Sequence, residues 1–124
     1  MHVYGDTIHE HSRHPRNYGP LESPDIRHED VNPLCGDRVR IELSIASDDT
    51  IGIARFQGDL CVIAKAASSL LTEMIAGIPV SRAAEFPEQQ LLDALQAEIQ
   101  PARRRCALLP LEVLRSGISE WLRR

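Results

Sequence analysis

The sequence predicts an α+β fold, in which helices pack on a three-stranded antiparallel sheet. Residues 38–45 alternate polar and apolar side chains, which is typical of a strand with one solvent-exposed face. A turn at Asp48-Asp49 leads into a second strand over residues 50–56. Residues 62–77 then form the clearest helix of the chain. Strands followed by a run of helices indicate an α+β layer architecture.

The elements before residue 38 are an N-terminal helix, a loop and an edge strand. The helix is predicted from Val3 to about His11, and Pro15 with Gly19-Pro20 interrupts it. Residues 26–31 are short and mixed in character, which indicates an edge strand. In the strand that follows Asp48-Asp49, we expect apolar surface from Ile51, Ile53 and Phe56.

The helix over residues 62–77 is predicted to have an apolar and a polar face. Gly77 and Pro79 end it. At 100° per residue, one side collects the core candidates Ile63, Ala67, Leu70, Leu71 and Met74. The opposite side carries Cys61, Lys65, Ser68 and Thr72. The pattern therefore places Cys61 with the polar face.

Three further helical segments complete the chain. Residues 81–85 form a short turn, and Pro87 opens a helix with Leu91, Leu92, Leu95 and Ile99 that ends at Pro101. The last helix carries Leu111, Leu114, Ile118, Trp121 and Leu122. Because a proline's missing N–H is harmless in the first turn of a helix, Pro110 predicts a start near Cys106.

Composition bounds the class of protein. A chain of 124 residues predicts one domain over 1–124. The formal charge of -4 argues against a general nucleic-acid binder, and the cluster Arg103-Arg104-Arg105 is either a solvated face or a modulator of a neighbouring thiol. No apolar run approaches the roughly 18 residues of a membrane span, and the first dozen residues carry Asp6, His9 and Glu10 instead of the apolar stretch of a signal peptide. We therefore expect no membrane contact and a cytoplasmic protein.

The cysteines carry the candidate chemistry. Three cysteines are an odd number, and a reducing cytoplasm keeps them as thiols. Cys35 and Asp37 flank Gly36 in a turn between two strands, and they can point the same way. Cys61 and Cys106 stand near helix starts, where the helix dipole favours the thiolate form, and the arginines that precede Cys106 act on that thiol in the same direction. Three thiolates and a carboxylate suit zinc or an iron–sulfur cluster. The competing interpretation is that all three cysteines are buried and inert, since no C-x-x-C pair is present.

The other polar candidates have simpler interpretations. Surface positions are expected for the histidines, namely His2, His9, His11, His14 and His28. Ser68-Ser69 is interpreted as a pair of small residues that permits close helix packing, because nothing nearby supplies a base for a nucleophile.

Several motifs together resemble the IscU, SufU and NifU N-terminal type of iron–sulfur cluster assembly protein. Residues 14–19 read H-P-R-N-Y-G, similar to the family's N-P-R-N-x-G, and residues 32–37 read N-P-L-C-G-D, similar to N-P-x-C-G-D. Gly58-x-x-Cys61 is followed by Ala64, Ser68 and Thr72-Glu73, and Cys106 opens the last helix. The resemblance covers nearly the whole chain.

The resemblance implies a fold, a site and a function. The fold is the SufE/NifU-like, IscU-type three-stranded sheet with helices, and the site uses the positions that match Cys35, Asp37, Cys61 and Cys106. In the family these groups hold zinc, iron or a nascent [2Fe–2S] cluster, receive sulfur from a cysteine desulfurase, and serve cluster-acceptor apoproteins. The resemblance thus implies a scaffold in which Cys35 or Cys106 takes a persulfide and Asp37 is the most exchangeable ligand. A zinc-dependent persulfide acceptor of SufU type and an inert structural module are the alternatives.

The motifs mix two branches of the family. Arg105 stands where the IscU branch has a histidine, and residues 98–103 read E-I-Q-P-A-R in place of its L-P-P-V-K segment. Arg103 matches the arginine of the SufU branch, but the insertion of that branch between the second and third cysteines is missing. Lys65 stands where the family usually has an uncharged residue. Its ammonium either stabilises the Cys61 thiolate or extends into water.

Overall fold

The structure, a computed structural model, describes residues 4–124. The expectations for His2 and for a helix start at Val3 lie outside the described residues. The elements in chain order are α1 (Asp6–Arg13), β1 (Ile26–Asn32), β2 (Asp37–Ile45), β3 (Ile51–Asp59), α2 (Val62–Ile75), α3 (Val80–Ala84), α4 (Glu88–Ala94), a 3₁₀ turn (Pro101–Arg103) and α5 (Arg104–Leu122). The α+β class and the three-stranded antiparallel sheet are confirmed.

The sheet has β2 in its centre, with β1 and β3 at its edges. The β1–β2 register pairs Asn32 with Asp37, so the turn between these strands contains the predicted Cys35. The β2–β3 register pairs Arg38 with Asp59 at the same end of the sheet. This end of the sheet therefore carries both the β1–β2 turn and the β3–α2 junction.

The β2–β3 ladder is irregular opposite Ser44. The register shifts between Leu43 and Ile45, and the Ser44 Oγ accepts the Ile53 N–H at 2.8 Å. Ile51 and Phe56 are buried, but Ile53 is 47% exposed. The expectation that Ile53 adds to the apolar face is wrong, because the irregularity turns it to the other side of the sheet.

Close approach of the backbones requires glycine at position 58. Gly58 has φ +153, and a Cβ added there would lie 1.9 Å from the carbonyl oxygen of Arg38. Only glycine permits β3 to pass β2 at this distance, just before the chain enters α2. The glycine of the Gly58-x-x-Cys61 motif is thus required by the close packing of β3 against β2.

Helices α2 and α5 cover one face of the sheet. Helix α5 contacts β1 and β2, and α2 contacts β3, α5 and α1. Their apolar side chains join those of the strands in one core, whose largest fully buried members include Phe56, Ile41, Leu43, Ile63, Leu71, Leu111 and Leu114. Within residues 4–124, no helix is both long enough and apolar enough to cross a membrane.

The predicted polar face of α2 is not exposed to solvent. Ser68 and Thr72 are fully buried, as is Ser69, whereas Leu70 and Met74 are only partly buried. The hydroxyls are satisfied within the helix: Ser68 donates to the Ala64 carbonyl at 2.8 Å, and Thr72 donates to the Ser69 carbonyl at 2.9 Å. The N-terminal segment packs over this face. This burial agrees with the interpretation of Ser68-Ser69 as small residues that permit close helix packing.

The loop after α1 is pinned to both the sheet and α2. Phe56 donates its N–H to the Asn17 carbonyl at 3.0 Å, and Gly19 donates to the Phe56 carbonyl at 2.9 Å. The Asn17 amide donates to the Thr72 hydroxyl at 3.2 Å, and Asn17 itself has φ 62. The H-P-R-N-Y-G motif is therefore a strap across β3 and α2.

The last two predicted helices have different bounds in the structure. Helix α4 ends at Ala94 instead of near Pro101, because Gln96 adopts a left-handed conformation with φ 53. Helix α5 begins at Arg104, two residues before the predicted start. Pro110 consequently lies beyond the first turn and leaves the carbonyl of Cys106 without an intrahelical donor. The predicted start near Cys106 is thus confirmed to within two residues, whereas the premise that Pro110 lies in the first turn is wrong, since Pro110 is a buried residue inside the helix.

Candidate metal centre

The β1–β2 turn presents Cys35 to solvent. Asn32 is buried, and its carbonyl accepts the N–H groups of Cys35 at 3.3 Å and Gly36 at 2.8 Å. Its side-chain oxygen accepts the Leu34 N–H at 3.1 Å, which is an Asx turn. Gly36 has φ +77, the left-handed conformation that glycine adopts at little cost. The turn thus exposes Cys35 and Leu34 at the edge of the sheet.

Asp37 is the buried centre of the site. It is 4% exposed at the start of β2. Its Oδ1 accepts the Cys61 N–H at 2.9 Å, and its Oδ2 lies 3.2 Å from the Cys35 Sγ, in position to accept the thiol proton. One carboxylate therefore links the turn to the start of α2.

Cys106 reaches the same point from α5. It follows Arg104 and Arg105 at the start of the helix, and its Sγ lies 3.4 Å from the Cys35 Sγ. The pKa of the Cys106 thiol is raised to about 12, and burial is the largest cause. The hydrogen bond with Cys35 and the nearby charges of Cys61, Cys35 and Asp37 raise it further. The expectation that the helix start and the arginines favour its thiolate is wrong for the metal-free protein, because desolvation has the larger effect.

Cys61 lies beside these groups but faces another donor. It is the N-cap residue of α2, and its Sγ accepts the Ala64 N–H at 3.4 Å. Across residues 4–124, the set of metal-ligating atoms within 4.8 Å of one another comprises Cys35, Asp37 and Cys106 and leaves Cys61 out. The structure thus brings three of the four predicted ligands together and places the fourth at the edge of the same cavity.

All three cysteines line one open cavity of about 430 Å³. Its other lining residues are Asn32, Leu34, Ala102, Arg103 and Arg105. The half-buried Arg103 has a raised pKa, first through a side-chain hydrogen bond with Cys61 and then through the charges of Cys61 and Cys106. Of the arginine cluster, Arg104 and Arg105 are exposed, whereas Arg103 faces the thiols.

The remaining predicted candidates lie elsewhere. Lys65 places its Nζ 5.5 Å from the centre of the Tyr18 ring, so it is engaged in a cation–π contact instead of extending freely into water. His28 pairs with Glu120 at 3.1 Å, and the His11 Nδ1 lies 2.7 Å from the Ser69 Oγ. His9, His11 and His28 are each partly buried, whereas His14 is exposed as expected.

Sequence reasoning missed the structural role of Asn32. Asn32 builds the turn, and its position before Pro33 is a signal typical of turn initiation. Arg103 was singled out only by its match to the SufU branch, and its interaction with Cys61 agrees with the interpretation of the arginine cluster as a modulator of a neighbouring thiol. Among residues 4–124, the buried Nε of Arg103 has no hydrogen-bond partner.

The donor set fits a thiolate-binding metal. Ligand atoms of a tetrahedral zinc site with Zn–S bonds of about 2.3 Å lie about 3.8 Å apart. The Cys35–Cys106 and Cys35–Asp37 separations of 3.4 Å and 3.2 Å are close to that value. Modest outward movement would thus accommodate zinc or the iron of a cluster.

Comparison with known proteins decides the family. The model of the NifU-like N-terminal domain matches residues 3–124. The chain belongs to this family. A NifU-like N-terminal domain is thus the fold that carries the Cys35, Asp37 and Cys106 cluster, as the motifs indicated.

Two of the curated relatives of this NifU-like domain differ in the function that their names state. The iron–sulfur cluster assembly scaffold protein IscU of Aquifex aeolicus is 32% identical over 120 residues, covering 96% of this chain and 76% of the relative. The zinc-dependent sulfurtransferase SufU of Bacillus subtilis is 30% identical over 135 aligned positions, covering 95% and 90%. The crystal structure of the N-terminal part of a nitrogen-fixing NifU-like protein from Brucella abortus has the same fold, with a TM-score of 0.79 at 19% identity over 98% of this chain and 96% of that one.

Proposed function

We propose that this protein is a scaffold for iron–sulfur cluster assembly, which combines iron and sulfur and delivers the product to acceptor apoproteins. The observation that carries the proposal is the convergence of Cys35, Asp37 and Cys106, whose ligand atoms lie within 4.8 Å of one another at an open cavity. Thiolates are the usual ligands of iron–sulfur clusters. Membership in the NifU-like N-terminal domain family and the similarity to IscU scaffolds support the same function.

The proposed ligand set includes Cys61 as its fourth member. Its Sγ needs only to leave the Ala64 N–H and turn into the cavity that it already lines. Its own N–H is bound by Asp37, so the start of α2 is fixed relative to the other ligands. The cargo is iron or a nascent [2Fe–2S] cluster, and zinc can occupy the same ligands in the resting protein.

Sulfur is proposed to come from the persulfide of a cysteine desulfurase. A thiolate of this protein attacks the terminal sulfur, the sulfur–sulfur bond breaks, and the desulfurase cysteine leaves as a thiolate. Cys35 and Cys106 are the candidate acceptors. Cys35 is exposed and Cys106 is buried, which favours Cys35 for the first transfer.

A zinc-dependent persulfide acceptor is the second candidate function. The position of Arg103 against Cys61 and Cys106 favours it, because a cation there can stabilise a thiolate released from the metal. The similarity to SufU of Bacillus subtilis supports the same alternative. Both functions require thiols, which we propose are maintained in the reducing cytoplasm.

Anaerobic reconstitution with iron and sulfide tests the lead proposal. We expect a coloured protein with a cluster, and loss of the cluster in Cys35→Ala and Cys106→Ala. Arg104→Ala is the matched control, since Arg104 is exposed and outside the cavity lining. Tight zinc binding with stimulation of a desulfurase, but no cluster, would instead support the second function.

The inert alternative predicts a different result. If the cysteines were only structural, the purified protein would contain no metal, and none of its three thiols would react with a labelling reagent before or after treatment with a chelator. The exposed position of Cys35 argues against that outcome.

A further inference from the structure

We propose that Cys35 and Cys106 form a redox pair, which closes to an intramolecular disulfide in the metal-free protein when a peroxide is the oxidant, while Cys61 remains a thiol. The modification itself is a property of the reduced, metal-free chain. Only its consequence, the block on metal and sulfur uptake, rests on the proposed function.

The two sulfur atoms are already in contact. The Cys35 and Cys106 Sγ atoms lie 3.4 Å apart, and a disulfide bond is about 2.05 Å long. Closing the pair thus requires an approach of about 1.4 Å. Their residues are 71 positions apart in sequence, so the bond would join the β1–β2 turn to the start of α5.

The turn is the part that can move. Cys35 lies between Asn32 and Gly36 in a short turn outside regular structure, whereas Cys106 is a buried residue of α5, a helix that packs on the sheet. Gly36 has no atom within 4 Å of its Cβ position, so the turn has free space beside it. Movement of Cys35 toward Cys106 leaves the core unchanged.

The same geometry makes Cys61 the less favourable partner, because its sulfur would first have to leave the Ala64 N–H and turn into the cavity. Its Sγ accepts the Ala64 N–H at 3.4 Å, and it does not belong to the group of atoms within 4.8 Å that contains the other two sulfurs. Its backbone N–H is bound to Asp37, which fixes the residue at the start of α2. Cys61 is therefore the thiol left over.

The difference in exposure between Cys35 and Cys106 sets the order of the two steps, oxidation by peroxide and closure of the disulfide. The exposed Cys35 sulfur attacks one oxygen of hydrogen peroxide, the O–O bond breaks, and the other oxygen leaves as water with the thiol proton of Cys35. The Cys106 sulfur, 2% exposed, then attacks the sulfenic sulfur of Cys35. The S–O bond breaks, and its oxygen leaves as a second water with the proton of Cys106. Two thiols are oxidised to one disulfide, and one peroxide is reduced to two waters.

The disulfide would occupy two of the proposed metal ligands. Oxidised protein then cannot bind a cluster or zinc, and it cannot accept a persulfide at either candidate cysteine, until a dithiol reductant cleaves the bond. Metal bound at the same sulfurs protects them, because coordinated sulfur is not free to attack peroxide. The state of the pair thus decides whether the protein can bind metal and accept sulfur: the dithiol form can, and the disulfide form cannot.

Peptide mapping of the full-length, chelator-treated protein tests the pair directly. Trypsin releases each cysteine in its own peptide, with residues 28–38 carrying Cys35, residues 56–65 carrying Cys61 and residues 106–115 carrying Cys106. After one equivalent of hydrogen peroxide and rapid alkylation, we expect peptide 28–38 linked to peptide 106–115. Peptide 56–65 is alkylated, and a reductant restores all three thiols.

Matched variants and the zinc form complete the design. Cys61→Ala should still lose both remaining thiols and form the same linked peptide. Cys106→Ala should form no intramolecular link and should accumulate sulfenic or higher oxidation products on Cys35. Zinc-bound wild type should retain its thiols under the same dose of peroxide.

Three results would overturn the pair: a link that contains peptide 56–65, a disulfide between two copies of the chain, or direct overoxidation of Cys35 in the metal-free wild type. These measurements need neither a cluster nor a desulfurase. A failed reconstitution with an intact disulfide result would sink the proposed function alone, and the reverse pattern would sink the redox pair alone.

Discussion

Asp37 contacts two of the three cysteines through different oxygens, so it has two separate roles: a candidate metal ligand beside Cys35 and a hydrogen-bond acceptor for the Cys61 N–H. Asp37→Ala removes a candidate oxygen ligand, and we expect the affinity for zinc to fall at least about tenfold. It also leaves the Cys61 N–H without its acceptor, which should lower the free energy of unfolding by about 1–3 kcal/mol. Competition with a chelator and urea unfolding of the metal-free protein measure the two effects.

The asparagine variant distinguishes the two roles of Asp37. Asp37→Asn keeps an oxygen for the Cys61 N–H, so it should recover most of the stability while its zinc affinity stays low. Asp59→Ala is the control, because that carboxylate is 81% exposed and pairs with Arg38. If Asp37→Ala matched wild type in zinc affinity and in cluster lifetime, Asp37 would have no part in the site.

The protonated state of Cys106 predicts a pH dependence of metal binding. Its pKa of about 12 keeps it a thiol near neutral pH, whereas a metal binds the thiolate. Binding therefore releases this proton, and the affinity should rise with pH by up to about tenfold per unit from this group alone. Zinc titrations at about pH 7 and about pH 8 should show a steeper dependence in wild type than in Cys106→Ser. Equal slopes would contradict the role of Cys106 as a protonated ligand.

Residue types could be predicted from the sequence better than their environments. The motif around residues 32–37 and the positions of Cys61 and Cys106 identified all four candidate ligands. The burial of Cys106, which decides its protonation, depends on helices that pack from distant parts of the chain. The sequence likewise does not show whether the Cys61 Sγ bonds to the Ala64 N–H, as it does in the structure, or points into the cavity.

At the scale of elements, the contact between α1 and α2 predicts an acid-sensitive fold. The His11 Nδ1 lies 2.7 Å from the Ser69 Oγ, and that oxygen also accepts the Arg16 N–H at 2.9 Å. Burial lowers the pKa of His11, as does Arg16, while Glu73 and Glu10 oppose the shift. The unfolded chain therefore binds the proton first as pH falls, and stability is lost below the ordinary value of 6.5.

Urea unfolding at about pH 7.5 and about pH 5.5 measures this effect. We expect the midpoint to drop over this range in wild type and to drop less in His11→Asn, which keeps a polar partner for Ser69 but does not titrate. His14→Gln is the control, since His14 is exposed at the end of the same segment. A drop of the same size in His11→Asn would show that other groups cause the acid sensitivity.

The same contact explains how the polar face of α2 is buried. A helical pattern distinguishes apolar from polar side chains, and by that criterion Ser68 and Thr72 belong to the polar face. Their hydroxyls are small and bond to the helix's own carbonyls, so a second layer can bury them. The strap over residues 14–19 provides that layer through Asn17. Element types were predictable, whereas the third layer formed by the strap was not.

At the scale of the whole molecule, the topology brings the site together. The β1–β2 turn and the β3–α2 junction share one end of the sheet, because β1 and β3 both run antiparallel to the central β2 and so finish at the same end. Helix α5 crosses β1 and β2 with its first turn at that end, which adds Cys106. Spacing in the sequence could not reveal this convergence, since it depends on where the last helix docks.

Because the proposed ligands come from distant segments, metal binding should stabilise the entire fold. At a free zinc concentration a thousandfold above Kd, the free energy of unfolding should rise by about 4.1 kcal/mol. If Cys61 is the fourth ligand, Cys61→Ser should weaken binding at least tenfold and so lose about 1.4 kcal/mol of this gain at the same zinc concentration. The neighbouring Val62→Ser is the control, because Val62 is 47% exposed and outside the cavity lining. Urea unfolding with and without zinc gives the comparison. A full gain in Cys61→Ser would mean that Cys35, Asp37 and Cys106 bind the metal alone, with a coordination position open to solvent or to an incoming sulfur.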